Sequence, residues 1–124
     1  MAAAVIVSGI RVHRMKVEKI LEGLGFHEVY HAEMGMEGIR ITRRHEPDVV
    51  LVDFSLNDMT GLECLQQIRI LSRDRRVIMI AADDTTENFI HRASELGGLI
   101  AKLPLSDAAI KELIERPFSP PVQA

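Results

Sequence analysis

Only one cysteine, Cys64, stands in the 124 residues, so no intramolecular disulfide can form and there is no Cys pair on which to found a zinc site. A reducing compartment is compatible with this. Neither sign of charge is in large excess: 15 Lys and Arg against 18 Asp and Glu give a formal net charge of -3. This speaks against a nucleic-acid binder, because neutralising phosphates needs a strong surplus of Lys and Arg on one surface. No apolar run approaches the roughly 18 residues of a membrane-spanning helix. The N-terminal Met1-Ala2-Ala3-Ala4-Val5-Ile6-Val7 also lacks the basic region and long apolar core of a secretion signal. The chain is therefore read as cytoplasmic, with neither membrane nor nucleic acid among its partners. Low-complexity tracts, internal repeats and linkers are missing as well, which removes the usual signs of disorder. What remains is 47% hydrophobic and 27% charged, in a length that suits one domain able to bury about two thirds of its unfolded surface.

The most informative stretch runs from Asp48 to Gly61, where the aliphatic residues Val49 to Val52 deliver one carboxylate, Asp53. A run this short and unbroken suits a strand buried on both faces of a parallel sheet. Asp53 then stands at the carboxyl end of that strand, the edge at which open α/β sheets bind ligands. The loop from Phe54 to Thr60 and a helix beginning after Gly61 would frame a crevice there.

Around this stretch the chain alternates. Ala4 to Ser8 is a first strand stopped by Gly9, and Ile10, Val17, Ile20, Leu21 and Leu24 fall on one face of a helix ended by Gly25. His27 to His31 reads as a short strand near a sheet edge. Gly35 to His45 is a polar helix closed by Pro47, which biases Glu46 out of helical geometry. Leu62, Leu65, Ile68 and Leu71 mark the next helix, and Arg76 to Ala81 the next strand. Asp84 with Glu87 resembles a capping box ahead of Phe89, Ile90, Ala93 and Leu96 on one helical face, ended by Gly97-Gly98. Leu99 to Leu103 is a fifth strand, and Ser106 caps a helix that buries Ala109, Ile110, Leu113 and Ile114. Pro117 stops it. Five strands alternating with five helices predict a doubly wound α/β parallel sheet in one domain over residues 4–116, with an irregular tail at 117–124.

Three segments carry a family resemblance. Pro47-Asp48-Val49-Val50-Leu51-Val52-Asp53 with Leu56, Thr60 and Gly61, then Gly35-Met36-Glu37-Gly38-Ile39 and Arg76-Val77-Ile78-Met79-Ile80, resemble the receiver domains of bacterial two-component response regulators. The resemblance implies the flavodoxin-like strand order 2-1-3-4-5. It implies a signalling module rather than an enzyme, in which Asp53 is the phospho-acceptor and attacks a phosphohistidine while Mg²⁺ offsets the charge of the reacting oxygens. The implied partners are a histidine kinase or phosphotransfer protein and a downstream target. Added charge at Asp53 would change the surface of the fourth helix and fifth strand.

Several family positions are altered. Ser8 and Gly9 stand where the family has two metal-binding acids, leaving Asp53 as the only carboxylate for the metal, so Mg²⁺ binding is expected to be very weak. Ala81, followed by Ala82, replaces the hydroxyl that contacts the phosphoryl group, and Leu99 and Ile100 occupy the region of the aromatic switch. The family lysine directly precedes a proline, whereas here Leu103 separates Lys102 from Pro104. A one-residue slip would turn Lys102 to the other face, although a β-bulge could restore it. Lys102 is thus the candidate phosphate contact. Two versions follow: inefficient phosphorylation of Asp53, or a constitutive pseudo-receiver adaptor, which the altered positions favour. With little chain after Arg116, the protein is read as a stand-alone module, monomeric or weakly homodimeric.

Other candidates carry less. Asp58 and Asp83-Asp84 lie at the same edge and are possible substitute carboxylates, with Asp84 better explained as a helix cap. His27 and His31 in a strand would lie about 13 Å apart, too far to share an ion. All five His, including His13, His45 and His91, are expected to face solvent, and Cys64 is expected to be a packing residue. Arg69, Arg73, Arg75 and Arg76 form a basic patch, favoured as a solvated loop over a docking surface for an acidic partner or for the phosphates of a nucleotide-binding adaptor. Phe118 is expected to fold back on the body. An Asp-nucleophile phosphatase is a poor alternative, because Ser55 stands where such enzymes resembling haloacid dehalogenases carry a second Asp. A flavin module fares no better, since Ser8-Gly9-Ile10-Arg11 is not a phosphate-holding loop.

Overall fold

All five expected strands form. In the computed structural model, which describes residues 2–118, 120 and 121, these are β1 (Ala2–Val7), β2 (Phe26–Ala32), β3 (Val49–Asp53), β4 (Arg76–Ala81) and β5 (Leu99–Lys102). They form one parallel sheet in the order β2-β1-β3-β4-β5. The helices are α1 (Arg11–Gly23), α2 (Gly35–His45), α3 (Gly61–Leu71), α4 (Glu87–Glu95) and α5 (Asp107–Glu115). This is the doubly wound order that the family resemblance implies, with β2 at an edge and two residues longer than the expected His27–His31.

Period-two alternation along buried strands divides the core into two layers. Val5, Val7, Val50, Val52, Val77 and Met79 pack against Leu62, Leu65 and Ile68 of α3. Their strand neighbours Ala4, Ile6, Val49, Leu51, Ile78 and Ile80 face Val17, Ile20 and Leu21 of α1 and Ile110 and Leu113 of α5. Each such aliphatic side chain contributes roughly 1.5–3 kcal/mol when fully buried, and these residues hold the strand ends in fixed register. Among the described residues no helix is long and apolar enough to cross a membrane.

The helix starts differ from expectation in places. Ile10 is the residue before α1 rather than part of its buried face, and it is exposed. The cap of α4 is Thr86, whose hydroxyl accepts from Phe89 N at 3.3 Å, so Asp84 does not cap that helix. Thr85 Oγ1 accepts instead from Ala82 N at 3.1 Å, which uses up Ala82 to Thr85 in a turn and delays the helix. Only Ala93 of α4 is fully buried and Phe89 is exposed. In α5 Ser106 does cap, accepting from Ala109 N at 3.1 Å, but Ala109 itself is exposed. A capping box joins Thr60 and Glu63 at the start of α3.

The described part of the tail folds back. The Phe118 ring lies between Arg69 and Arg76, with the guanidinium carbons 5.7 and 5.5 Å from its centroid. Arg73 Nη2 donates to Pro121 O at 2.9 Å. The expected irregular tail at 117–124 includes residues 119 and 122–124, which lie outside the described residues.

Candidate functional site

Register brings the reactive edge together. Val7 pairs with Val52 and Asp53 with Ile80, so the ends of β1, β3 and β4 stand side by side. Asp53 is the last residue of β3 and is buried, at 5% exposure. The chain turns tightly below it: Gly61 N donates to Phe54 O at 2.7 Å, and a Cβ at Gly61 would overlap the Asp53 carbonyl and Phe54 Cα. Only glycine lets α3 begin this close to the acceptor strand.

Asp53 Oδ2 accepts a hydrogen bond from Ser8 Oγ and lies 3.4 Å from His13 Nδ1. Ser8 is completely buried and accepts in turn from Ile10 N at 3.0 Å, while Arg14 Nη1 donates to Ser8 O at 2.7 Å. Ser8 thus fixes the β1–α1 turn and aims the first turn of α1 at the carboxylate. Asp53 Oδ1 is buried with no partner. Burial raises the Asp53 pKa above the usual carboxylate range, opposed first by the Ser8 hydrogen bond and then by His13.

His13 corrects the expectation that every His faces solvent: its side chain is 20% exposed and closes one side of the site. It comes from one turn into α1 and is 40 residues from Asp53 in sequence, so no local motif announces it. The other His residues stay outside. His31 Nε2 lies 3.3 Å from Glu18, His91 Nε2 lies 3.6 Å from Glu95, His45 stacks on Tyr30, and His27 is exposed.

Of the substitute carboxylates, Asp84 lines the pocket that contains Asp53, whereas Asp58 is engaged elsewhere. Both Asp58 oxygens accept backbone N–H groups at the start of α2, from Gly35 at 2.8 Å and Met36 at 3.0 Å. The Met36 hydrogen bond foremost lowers the Asp58 pKa. Asp58 therefore caps a helix from which it is 22 residues distant. Asp83 and Asp84 are exposed on the β4–α4 loop. Among the described residues no group of three or more His, Cys, Asp and Glu could hold a metal. Mg²⁺ needs near-octahedral oxygen donors. One carboxylate already engaged by a hydroxyl and an imidazole, beside a glycine at position 9, does not fit it.

At the positions where the resemblance implies phosphate-reading groups, the side chains are apolar. Ala81 is buried at the end of β4, and Leu99 and Ile100 are half-buried in the core layers, with Ile100 packed on the α3 side. Ala101 faces the α1–α5 layer, so alternation turns the exposed Lys102 away from it and brings Leu103 back. Leu103 lines the narrow pocket of about 60 Å³ that contains Asp53, and Lys102 does not. Leu103 is held at this position by Leu103 N donating to Ala81 O at 2.9 Å.

Of the Arg patch, Arg73 is exposed, while Arg69, Arg75 and Arg76 are buried or half-buried and engaged by backbone carbonyls. Arg69 is buried and donates to the carbonyls of Leu96 at 2.6 Å, Arg75 at 2.7 Å and Gly97 at 3.3 Å. Arg76 donates to Leu113 O at 2.6 Å, and Arg75 to Pro47 O. These guanidiniums fasten backbone carbonyls of loops and of the end of α5, and burial lowers the Arg69 pKa to about 10. Cys64 is fully buried, its pKa pushed up to about 12 by burial, as suits a packing residue.

A wider cleft of about 670 Å³ opens beside the Asp53 pocket, between Val12, His13 and Lys16 of α1, the β4–α4 loop, and Leu103 to Leu105. A phosphoryl group arriving at Asp53 would need its charge offset. Two like unit charges 4 Å apart repel by about 4 kcal/mol at the effective dielectric of a protein surface.

The receiver resemblance extends to known proteins. The family described as "Response regulator receiver domain" matches residues 4–115. The chemotaxis protein CheY-3 of Vibrio cholerae is 28% identical over 116 residues, covering 91% of this chain and 88% of that protein. The chemotaxis protein CheY of Bacillus subtilis is 32% identical over 77 residues, 62% of this chain and 64% of the relative, just under two thirds of its length. A chain in the crystal structure of a CheX-CheY-BeF3-Mg²⁺ complex from Borrelia burgdorferi shares the fold, with a TM-score of 0.84 at 23% identity over 91% of this chain and 86% of that one.

Proposed function

Because the chain belongs to the response regulator receiver family, a non-enzymatic signalling module of two-component systems, we propose that it signals by protein contact and takes up phosphate at Asp53 poorly or not at all. The observation that carries this reading is the state of Asp53: Oδ2 is held by Ser8 and His13, and among the described residues no group of three or more His, Cys, Asp and Glu could hold a metal. In this reading Ser8 and Gly9 are lost metal positions, Ala81 a lost hydroxyl, and Leu99 and Ile100 a lost switch. The module then keeps one surface whatever the state of a kinase, which is the behaviour of a pseudo-receiver adaptor.

Its partners in this reading are a histidine kinase or phosphotransfer protein, a downstream target, or both. The Borrelia structure contains a receiver of the same fold together with a second protein, which supports contact as the mode of action. The receiver domain spans residues 4–116 and works as a monomer or weak homodimer. The phosphatase alternative falls with the family assignment. The nucleotide-binding alternative loses its basis because the Arg side chains are engaged by carbonyls.

The test is incubation with acetyl phosphate and Mg²⁺, read by intact mass beside an Asp53→Ala control. The expected result is no phosphoryl adduct. An adduct present in the native protein and missing from the control would overturn the reading.

A further inference from the structure

We propose that the cleft beside Asp53 binds a small organic cation, a primary ammonium carried on an apolar body. The cleft, about 670 Å³, falls within the 300–1,000 Å³ or so of small-molecule sites, and such sites are mostly apolar with a few placed polar groups. Val12, Leu103, Pro104 and Leu105 supply the apolar walls. The narrower pocket of about 60 Å³ shares His13, Ala82, Asp84 and Leu103 with the cleft and has Asp53 in its wall. A liquid water occupies about 30 Å³, so an ammonium group fits there while its apolar body lies in the wider part.

Charge decides the ligand's sign. The carboxylates of Asp53, Asp83 and Asp84 surround the joined space, against the cations of Lys16 and, when protonated, His13. His13 is already beside Asp53 Oδ2. Asp53 Oδ1 is a buried acceptor with no partner, and leaving a buried acceptor unpaired is unfavourable. A donor that is also a cation would satisfy the atom and offset the charge. Ala82 and Leu103 line both spaces and offer no hydroxyl or ammonium to an anion, and the hydroxyls of Ser55 and Thr85 in the narrow pocket bring no positive charge. The proposal concerns the same site as the phosphorylation-poor reading, because a phosphorylated Asp53 would exclude the ligand.

The experiment is an amide NMR titration of the full chain with 2-phenylethylamine, with 3-phenylpropionate and phenyl phosphate as anionic comparators. Saturable shifts at His13, Ala82, Leu103 and Leu105 are expected with the amine alone. Asp53→Asn should weaken binding by about tenfold or more, the effect of losing a charged hydrogen bond. Lys16→Ala, a change at an exposed position, should strengthen it, and L103K should abolish it by placing a competing ammonium in the pocket. No saturable shifts with the amine, equal shifts with phenyl phosphate, or amine binding unchanged in Asp53→Asn would each overturn the proposal. If acetyl phosphate modifies Asp53 while the amine still binds the unmodified protein, the phosphorylation reading fails and this one stands.

Discussion

His13 Nδ1 lies 3.4 Å from Asp53 Oδ2, and this contact, with Ser8 on the same oxygen, organises the reactive edge of the sheet. The carboxylate is held by an imidazole and a hydroxyl from the β1–α1 region, at the place where a receiver would gather acids around a metal. It is nevertheless too buried to ionise without cost.

That cost has a sign. The folded pKa of Asp53 is raised above its ordinary value of 3.8, chiefly by burial, so the folded state binds more protons between the two values and stability falls as pH rises through that window. Asp53→Asn keeps the shape and removes the ionisation. Its Tm should exceed that of the native protein at pH 7 by roughly a few degrees, and the gain should vanish below the unfolded carboxylate pKa. Thermal unfolding across pH 3 to 8 measures it. A lower Tm at pH 7 would mean that the contacts of Ser8 and His13 outweigh the burial.

Restoring the acids should restore the metal. At Gly9 an added Cβ would meet its nearest atom, Asn57 Nδ2, at 3.4 Å, an ordinary contact. Ser8→Asp with Gly9→Asp should be less stable than the native protein without Mg²⁺, from repulsion against Asp53, and should recover as Mg²⁺ is added. The native Tm should not respond to the same millimolar Mg²⁺.

Asp58 tests a different link, from a loop to a helix end. Asp58→Ala leaves Gly35 N and Met36 N without acceptors and should cost about 1 kcal/mol in urea unfolding. The lowered Asp58 pKa has the opposite sign to that of Asp53: its contribution is present above the unfolded value and is lost as pH falls through the folded one. Asp58→Ala should therefore differ least from the native protein in acid.

Gly61 is a steric requirement. Gly61→Ala forces a methyl into the Asp53 carbonyl and Phe54 Cα and should destabilise by about 1–3 kcal/mol or more. A neutral result in denaturant unfolding would show that α3 can shift outward from the acceptor loop.

Four of the strands were legible because each is an aliphatic run that cannot be satisfied except between two helical layers, whereas β2 at the sheet edge was marked only by Val29 and Tyr30, and the position of Asp53 followed from the end of one of the four. Much of the site was not legible. The Asp83-Asp84-Thr85-Thr86 run offers four capping side chains, and Thr86 caps because Thr85 is used by the turn from Ala82. Arg69 reaches carbonyls 27 and 28 residues away, so its sequence neighbours make it look solvated. His13 meets Asp53 only through the β1–α1 turn that Ser8 fixes. The one-residue ambiguity between Lys102 and Leu103 was visible in the sequence, and the packing of Ala101 on the α1–α5 layer puts Leu103 at the Asp53 pocket.

The central claim is that Asp53 does not assemble a metal-bound phosphoryl group, and fluorine NMR with beryllium fluoride and Mg²⁺ tests it most directly. Beryllium fluoride takes the shape and charge of a phosphoryl group on a carboxylate. The account predicts only the resonances of free fluoroberyllates. Protein-bound resonances that require Mg²⁺ and disappear in Asp53→Asn would contradict it.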